Sequence, residues 1–145
     1  MTPTTSPAPI ASAAEAFAAI ALAAVACDGE LAALEARGLR QQLEYRHPYR
    51  DYSDAAMAAL LDRLLQILRQ QGCAALVAQS VPHLRQEQRE TALAVAADLT
   101  LADHVASSAE AQFLQDLAAQ LQIDPERRER ILEVIHLLNR DSLSS

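Results

Sequence analysis

The feature that most restricts the fold is an alanine-rich, almost wholly apolar run of 18 residues from Ile10 to Cys27. Glu15 interrupts this run, which also falls short of the roughly 20 strongly apolar residues that a membrane-spanning helix needs. No Lys or Arg precedes it, whereas a secretory signal requires a positively charged start. We therefore expect a buried helix in a soluble, cytoplasmic protein.

The rest of the chain repeats this preference for helix. Ala and Leu supply most of its apolar content, Gly occurs only three times, and Trp is absent. Ala and Leu are strong helix formers, and few segments are enriched in the β-branched and aromatic residues that strands prefer. The 145 residues fit one domain. The sequence thus predicts an all-α domain over residues 11–139, with a disordered lead-in at 1–10 and a frayed tail at 140–145.

Helical periodicity and capping signals predict about seven helices. Glycine ends the first and third of them, and Pro82 begins the fifth. The predicted helices cover residues 12–27, 32–45, 53–71, 74–79, 82–101, 108–121 and 124–138. The inward faces of the second and seventh are predicted to contain Leu34, Leu39, Leu43, Ile131, Leu132, Ile135 and Leu138.

An acidic pattern occurs twice, each time between two apolar helical runs. Glu35 follows Asp28 by seven residues, and Glu110 follows Asp103 by the same interval. The two copies are 75 residues apart, about half the chain. This spacing suggests two pseudo-repeated helical halves, each with an acidic corner.

Two interpretations of these corners stay open. Ser107 and Glu110 fit a capping box, and Glu35 suits the positive end of a helix dipole. Ala32, however, offers no capping oxygen beside Glu35. If the halves pack about a pseudo-twofold axis, the carboxylates could instead converge on a cation such as Ca²⁺.

The motifs at these corners carry a family resemblance. An apolar helix that ends in ACDGEL at residues 26–31, with Glu35 seven residues past Asp28, resembles the tellurite-resistance TerB family and the wider TerB-like group. The stretch ADLTLAD at 97–103, followed by EAQFL at 110–114, is similar to it as well. The resemblance covers roughly residues 13–138. His104 and Val105 depart from the pattern, since the family has Gly and Glu there.

The resemblance implies a compact all-helical fold of two similar halves and a non-enzymatic role in a bacterial stress-response system. It implies a protein partner within an assembly, including membrane-associated ones, without insertion of this chain into the membrane. It also implies an acidic surface that binds a divalent metal. Carboxylate oxygens suit Ca²⁺, and a nitrogen from His104 would shift the preference toward Zn²⁺ or another transition metal such as Mn²⁺. The metal-site residues carried over are Asp28, Glu30, Glu35, Asp103 and Glu110.

Two other readings of function remain. The chain could be a helical protein–protein interaction adaptor whose acids only cap helices. It could also be a carboxylate-metal enzyme, because Glu133 and His136 form the E-x-x-H unit that diiron bundles use twice. A second match to this spacing, Glu44 and His47, is not on one predicted helix, because His47 lies in the loop before Pro48. We therefore expect no catalytic activity.

Nucleic acid is not an expected partner, because the net charge is −7 and phosphate binding needs clustered positive charge. Cys27 and Cys73 are expected to be buried, reduced thiols, although sequence leaves a disulfide open. The segment from Tyr45 to Tyr52 holds all three tyrosines. It is either a contact surface or a set of aromatic rings packed over a helix end, and packing is the favoured alternative.

Overall fold

Seven α-helices make up most of the chain that the structure describes, which is residues 7–27, 29–101, 107–140 and 142–143 of a computed structural model. No strand occurs in these ranges, so the predicted all-α class is confirmed. The helices are α1 Ala13–Ala26, α2 Ala33–Glu44, α3 Asp54–Gln71, α4 Cys73–Ser80, α5 Gln86–Leu101, α6 Ser108–Gln120 and α7 Pro125–Leu138. The relation between two pseudo-repeated halves stays a prediction.

Helix α1 is the centre of the fold. Its side chains are buried on almost every side, because α3, α4 and α5 all pack against it. A helix that is apolar all round belongs in a protein interior, and small alanines let neighbouring helices approach closely. Ser12 caps its start by accepting a hydrogen bond from the Glu15 amide at 3.2 Å. In the described ranges, no helix is both long and apolar enough to cross a membrane.

The segment before α1 also contacts the core. Ile10 is buried. Arg63 on α3 pairs with Glu15 and donates a hydrogen bond to the Ala8 carbonyl at 3.0 Å. Of the lead-in predicted to be disordered, residues 1–6 lie outside the described ranges. The described part is thus attached to α3.

Helix α5 is the second central element and contacts α1, α2, α6 and α7. Its first turn is exposed and its later turns are buried, as the polar-to-apolar gradient of the sequence predicts. Thr100 is buried near its end, where its hydroxyl donates to the Ala96 carbonyl at 2.8 Å. This bond satisfies the hydroxyl without a partner from another helix.

The predicted start of this helix at Pro82 is wrong. Residues Val81–His83 form a separate single-turn 3₁₀ helix, and α5 begins at Gln86. Leu84 between them is extended and buried. The Arg89 guanidinium binds the carbonyl oxygens of Val81 and Leu84, at 3.0 and 2.9 Å. A helix continuous through this point would need those carbonyls for its own hydrogen bonds.

Two leucines predicted to face inward are exposed. Leu34 is 71% exposed and Leu138 is 69% exposed. Leu34 lies five residues before the buried Leu39, which places it about 140° around the helix from that side chain. Leu138 lies in the last turn of α7, and no described element covers it. Leu39, Leu43 and Ile135 are buried as predicted.

Candidate functional site

The first acidic corner is the loop between α1 and α2. Glu30 and Glu35 are both exposed and line a pocket of about 360 Å³, together with Leu31, Ala32 and Arg69. Asp28, the third predicted ligand of this corner, lies outside the described residues. The structure therefore brings two of the predicted carboxylates to one pocket.

Arg69 was not expected at this corner. It extends from α3, and its Nε donates to the Gly29 carbonyl at 2.8 Å. Gly29 has a left-handed backbone with φ of 91°, a conformation that favours glycine. The guanidinium brings a fixed positive charge to the same pocket as the two glutamates. No local signal identifies Arg69, because its partner lies 40 positions away in the chain.

The helix start beside this pocket lacks a side-chain cap. Ala32 occupies the N-cap position of α2 and makes no capping hydrogen bond. Glu35 lies in the first turn of that helix, where the positive end of the helix dipole favours a carboxylate. Glu35 is thus near a helix start but does not form a capping box.

The second acidic corner differs in this respect. Ser107 accepts a hydrogen bond from the Glu110 amide at 3.2 Å, and Glu110 Oε1 accepts one from the Ser107 amide at 2.9 Å. This reciprocal pair is the predicted capping box, which is confirmed. Asp103, like His104, lies outside the described residues. Glu110 does not line the pocket of the first corner.

The five predicted metal-site residues are therefore only partly placed. Within the ranges that the structure describes, no three His, Cys, Asp or Glu side chains are grouped so that they could hold a metal ion. Because Asp28 and Asp103 are outside those ranges, this finding does not test the complete predicted set.

A second candidate site is a groove on α7. We call it the C-terminal groove. Its apolar lining residues are Leu101, Ala111, Leu114, Leu132 and Leu137. The groove has a volume of about 460 Å³ and lies where the end of α5, α6 and α7 meet.

Glu133 and His136, the E-x-x-H pair of the sequence, lie at the edge of the C-terminal groove. Both side chains are exposed, and Glu129 lies at the same edge. Arg140 adds a positive charge near the other end of the α7 segment that lines the groove. This edge is thus acidic near Glu129 and Glu133 and basic near Arg140.

Next to the groove is an exposed apolar stripe on α7. Val134 is 60% exposed and Leu137 is 51% exposed, and Leu138 completes the stripe. These three residues follow the spacing of neighbours on one helix surface. The sequence did contain the signal, since the C-terminal half of α7 has more apolar residues than one buried face can use.

The segment between α2 and α3 packs mainly against the helices. Tyr49 is buried and its hydroxyl donates to the Ala14 carbonyl. Its ring lies 5.6 Å from that of Tyr52 in a T-shaped pair and 6.4 Å from that of Phe17. Packing is therefore the role of Tyr49 and Tyr52, whereas Tyr45 is 82% exposed.

Burial dominates the electrostatics of Tyr49. It raises the pKa of the phenol above its ordinary value of about 10, and the neighbouring Tyr52 adds to the rise. A backbone hydrogen bond with Ala18 and the positive charge of Arg46 act in the opposite direction. Arg46 lies over the Phe17 ring, with 5.7 Å between its guanidinium carbon and the ring centroid.

The thiols were expected to be buried. That expectation is wrong for Cys27, which is exposed at the end of α1, while Cys73 is half-buried at the start of α4. The run that ends at Cys27 is buried, but its last residue already belongs to the loop.

These observations define an all-α helical bundle with an acidic corner and an apolar groove. Comparisons with known protein families, with curated proteins and with solved structures found no match. The likeness to TerB-like proteins therefore rests on the short motifs of the sequence.

Proposed function

We propose that this protein is a non-enzymatic scaffold module that binds an amphipathic helix of a partner protein in the C-terminal groove. The observation that carries the proposal is the exposed apolar stripe of Val134, Leu137 and Leu138 next to an apolar groove. Grooves of this kind bind the apolar face of a partner helix. Leu137 belongs to both surfaces, so one partner helix could contact the two together.

The charges at the groove favour a basic partner. Glu129 and Glu133 lie one turn apart on α7 and share the groove edge. Glu129 is exposed and pairs with its half-buried neighbour Arg128 at 3.2 Å, and a pair at the surface contributes little. The net charge of −7 also attracts a positively charged segment. The proposed partner helix therefore carries Lys or Arg beside its apolar face.

The motif resemblance extends this proposal to a cellular setting. A TerB-like module would act in the cytoplasm as a part of a stress-response assembly. The helix order and the acidic corner between α1 and α2 are compatible with that setting, and the quoted motifs are its support.

The test uses a designed helical peptide of 18 residues as the probe. Its Leu residues follow the i, i+3, i+4, i+7 pattern and its other face is Lys; a second peptide has Glu in place of Lys. We expect the Lys peptide to bind in fluorescence anisotropy and the Glu peptide to bind at least about tenfold more weakly. Leu137→Glu should weaken the affinity for the Lys peptide by about tenfold or more.

Leu34→Glu is the matched control, because Leu34 is also an exposed leucine but lies on another helix. It should leave peptide affinity unchanged. Sedimentation velocity of the unliganded protein tests the other occupant, a second copy of the chain. Equal binding of both peptides, or a dimer that Leu137→Glu dissociates, would contradict the proposal.

A second candidate function is a response to divalent cations at the first acidic corner. One observation favours it: Glu30 and Glu35 share a pocket beside a helix start whose N-cap residue makes no side-chain hydrogen bond. Carboxylate oxygens are the ligands that Ca²⁺ and Mn²⁺ prefer. Arg69 in the same pocket opposes cation binding by charge repulsion.

Thermal unfolding of chelator-treated protein tests this candidate. A bound cation raises Tm by mass action, and Asp28→Asn or Glu35→Gln should abolish the rise. Glu110→Gln is the control, because the capping role of Glu110 does not depend on metal. If millimolar Ca²⁺, Mn²⁺ and Zn²⁺ leave Tm unchanged, the scaffold function stands without a cation.

A further inference from the structure

The two cysteines of the chain meet where α1 ends and α4 begins. Cys27 is the C-cap residue of α1, and Cys73 is the first residue of α4. After burial, the neighbouring Cys27 thiol is the next cause that raises the pKa of Cys73, although the two residues are far apart in sequence. Both are free thiols. Helices α1 and α4 pack against one another, and Gly29, two residues after Cys27, accepts a hydrogen bond from Arg69, four residues before Cys73.

Contacts other than the thiols hold these two backbone segments in place. The Arg69 Nε donates to the Gly29 carbonyl at 2.8 Å, which attaches Gly29 to the end of α3. Gly72 has φ of 94° and its amide donates to the Leu68 carbonyl at 2.8 Å, which fixes the turn before Cys73. The proximity of the thiols therefore follows from the packing of α1, α3 and α4.

The two thiols differ in access. Cys27 is exposed, so a small oxidant in solution can reach its sulfur. Cys73 is half-buried, and burial, followed by the hydrogen bond and electrostatic interaction with Cys27, raises its pKa to about 12. Cys73 thus keeps its proton at neutral pH and is an unreactive thiol until a reactive sulfur lies next to it.

We propose that Cys27 and Cys73 are a redox modification site, at which hydrogen peroxide converts the free thiols into a reversible intramolecular disulfide. Peroxide first oxidises Cys27 to a sulfenic acid, with release of one water. The Cys73 sulfur then attacks the Cys27 sulfur and displaces hydroxide, which takes the Cys73 proton and leaves as a second water. One peroxide accepts the two electrons that the thiols lose, and a dithiol reductant reverses the change.

The disulfide would connect two elements that otherwise touch without a covalent link. It would close a loop of about a third of the chain, and closing a long loop stabilises the folded state. It would also fix the end of α1 beside the pocket of Glu30 and Glu35. The proposal does not depend on the function of that pocket or of the C-terminal groove.

The test starts from the reduced protein and a small excess of hydrogen peroxide. Intact mass spectrometry should show the loss of two hydrogens, and peptide mapping should show Cys27 linked to Cys73. The Tm should rise on the order of 10 °C and return to its first value with dithiothreitol.

Variants separate the two steps. Cys73→Ala and Cys73→Ser should stop at the Cys27 sulfenic acid, which dimedone traps. Cys27→Ser should leave Cys73 a free thiol after the same peroxide treatment, which iodoacetamide alkylates once the protein is denatured in guanidinium chloride. Two Cys73 variants are used so that poor folding of one does not decide the result.

The unfolded protein in guanidinium chloride is the reference for chance pairing of two thiols. Once the Cys27 sulfenic acid has formed, the folded protein should convert it to the disulfide at least about tenfold faster, measured by competition with dimedone, because its thiols already lie together. Equal rates, oxygen addition at Cys27 in the wild type without a link, or dimers joined by a disulfide would each overturn the proposal.

Discussion

Tyr49 is the residue whose local chemistry has the clearest consequence for stability. Its hydroxyl is buried and donates a hydrogen bond to the Ala14 carbonyl. Burial is the main cause that raises the pKa of the phenol. The folded protein holds this proton more tightly than the unfolded chain does. The resulting contribution of Tyr49 to the free energy of unfolding is therefore fully present below the pKa of an unfolded tyrosine, about 10. Above that pH the unfolded chain releases the proton first, so the free energy of unfolding falls as pH rises.

Tyr49→Phe should remove this part of the pH dependence. At pH 7 the variant loses one hydrogen bond, and we expect the free energy of unfolding to decrease by about 1 kcal/mol. Between pH 9.5 and 11 its stability should fall less steeply than that of the wild type. Urea denaturation at several pH values measures both effects. The exposed Tyr45→Phe is the control and should follow the wild type, whereas parallel curves for Tyr49→Phe would contradict the assignment.

Glu35 and Glu110 should respond differently to the same substitution. Glu110 completes a capping box with Ser107, so Glu110→Ala should lower the free energy of unfolding by about 1 kcal/mol. Glu35 lacks a capping partner at Ala32, and Glu35→Ala should cost no more than about 0.5 kcal/mol, from the helix dipole alone. Urea denaturation without metal compares the two variants, and equal losses would show that the corners are equivalent.

The sequence predicts residues well where the cause is local. The capping box of Ser107 and Glu110 depends on two residues three positions apart, so its spacing is enough to identify it. The role of Arg69 depends on a carbonyl far away in the chain, and no local pattern contains that information. Leu34 was misassigned because its apolar character indicates a preference for burial without showing which face another helix will cover.

Among the helices, Arg89 determines where one element ends and another begins. Its guanidinium donates to the Val81 and Leu84 carbonyls and to Gln122 Oε1 at 3.0, 2.9 and 3.0 Å. It thereby joins the 3₁₀ turn, the start of α5 and the end of α6. A lysine offers one compact ammonium in place of a planar fork and cannot satisfy these three oxygens in the same geometry.

Arg89→Lys should therefore lower the free energy of unfolding by about 2 kcal/mol, since hydrogen bonds from a charged donor are lost. Urea denaturation at pH 7 measures the loss. Arg85→Lys is the control, because Arg85 is exposed near the same helix start and should change stability by less than about 0.5 kcal/mol. If both variants behave alike, Arg89 does not organise this junction.

At the level of the helices, the sequence predicted the number and order of the elements because caps and periodicity are local. It misplaced the start of α5 because Pro82 is a good first residue for either kind of helix. The long-range contacts of Arg89 decide between one long helix and a 3₁₀ turn followed by α5. Element boundaries of this kind depend on packing that the local pattern does not encode.

In the molecule as a whole, the position of the candidate sites depends on how the helices pack. The C-terminal groove forms where α5, α6 and α7 pack together. The apolar excess of α7 alone predicts an exposed stripe on that helix, but it does not predict the groove. The first corner likewise receives Arg69 from α3. Sequence therefore identified candidate residues at both places, but it could not identify which other helices complete the sites.

Asp98 connects three of these helices. Its two carboxylate oxygens accept hydrogen bonds from Gln42 on α2 at 2.5 Å and from Asn139 after α7 at 2.8 Å. Both donors are amide nitrogens, so each of them needs one carboxylate oxygen of Asp98 as its acceptor. Substitution by Asn replaces one acceptor with a donor and leaves one of the two amides without its bond. We expect Asp98→Asn to lower the free energy of unfolding by about 1–2 kcal/mol.

The same substitution should loosen α7 before the rest of the fold, because Asn139 attaches its end to α5. Limited proteolysis with trypsin measures this, since Arg127, Arg128 and Arg130 lie on α7. Cleavage there should be several-fold faster in Asp98→Asn, and the Lys peptide should bind the C-terminal groove more weakly. Asp116→Asn, which changes an exposed carboxylate bonded to Gln112 of the same helix, is the control. If cleavage speeds up equally in all helices, Asp98 supports the whole bundle and does not position α7 in particular.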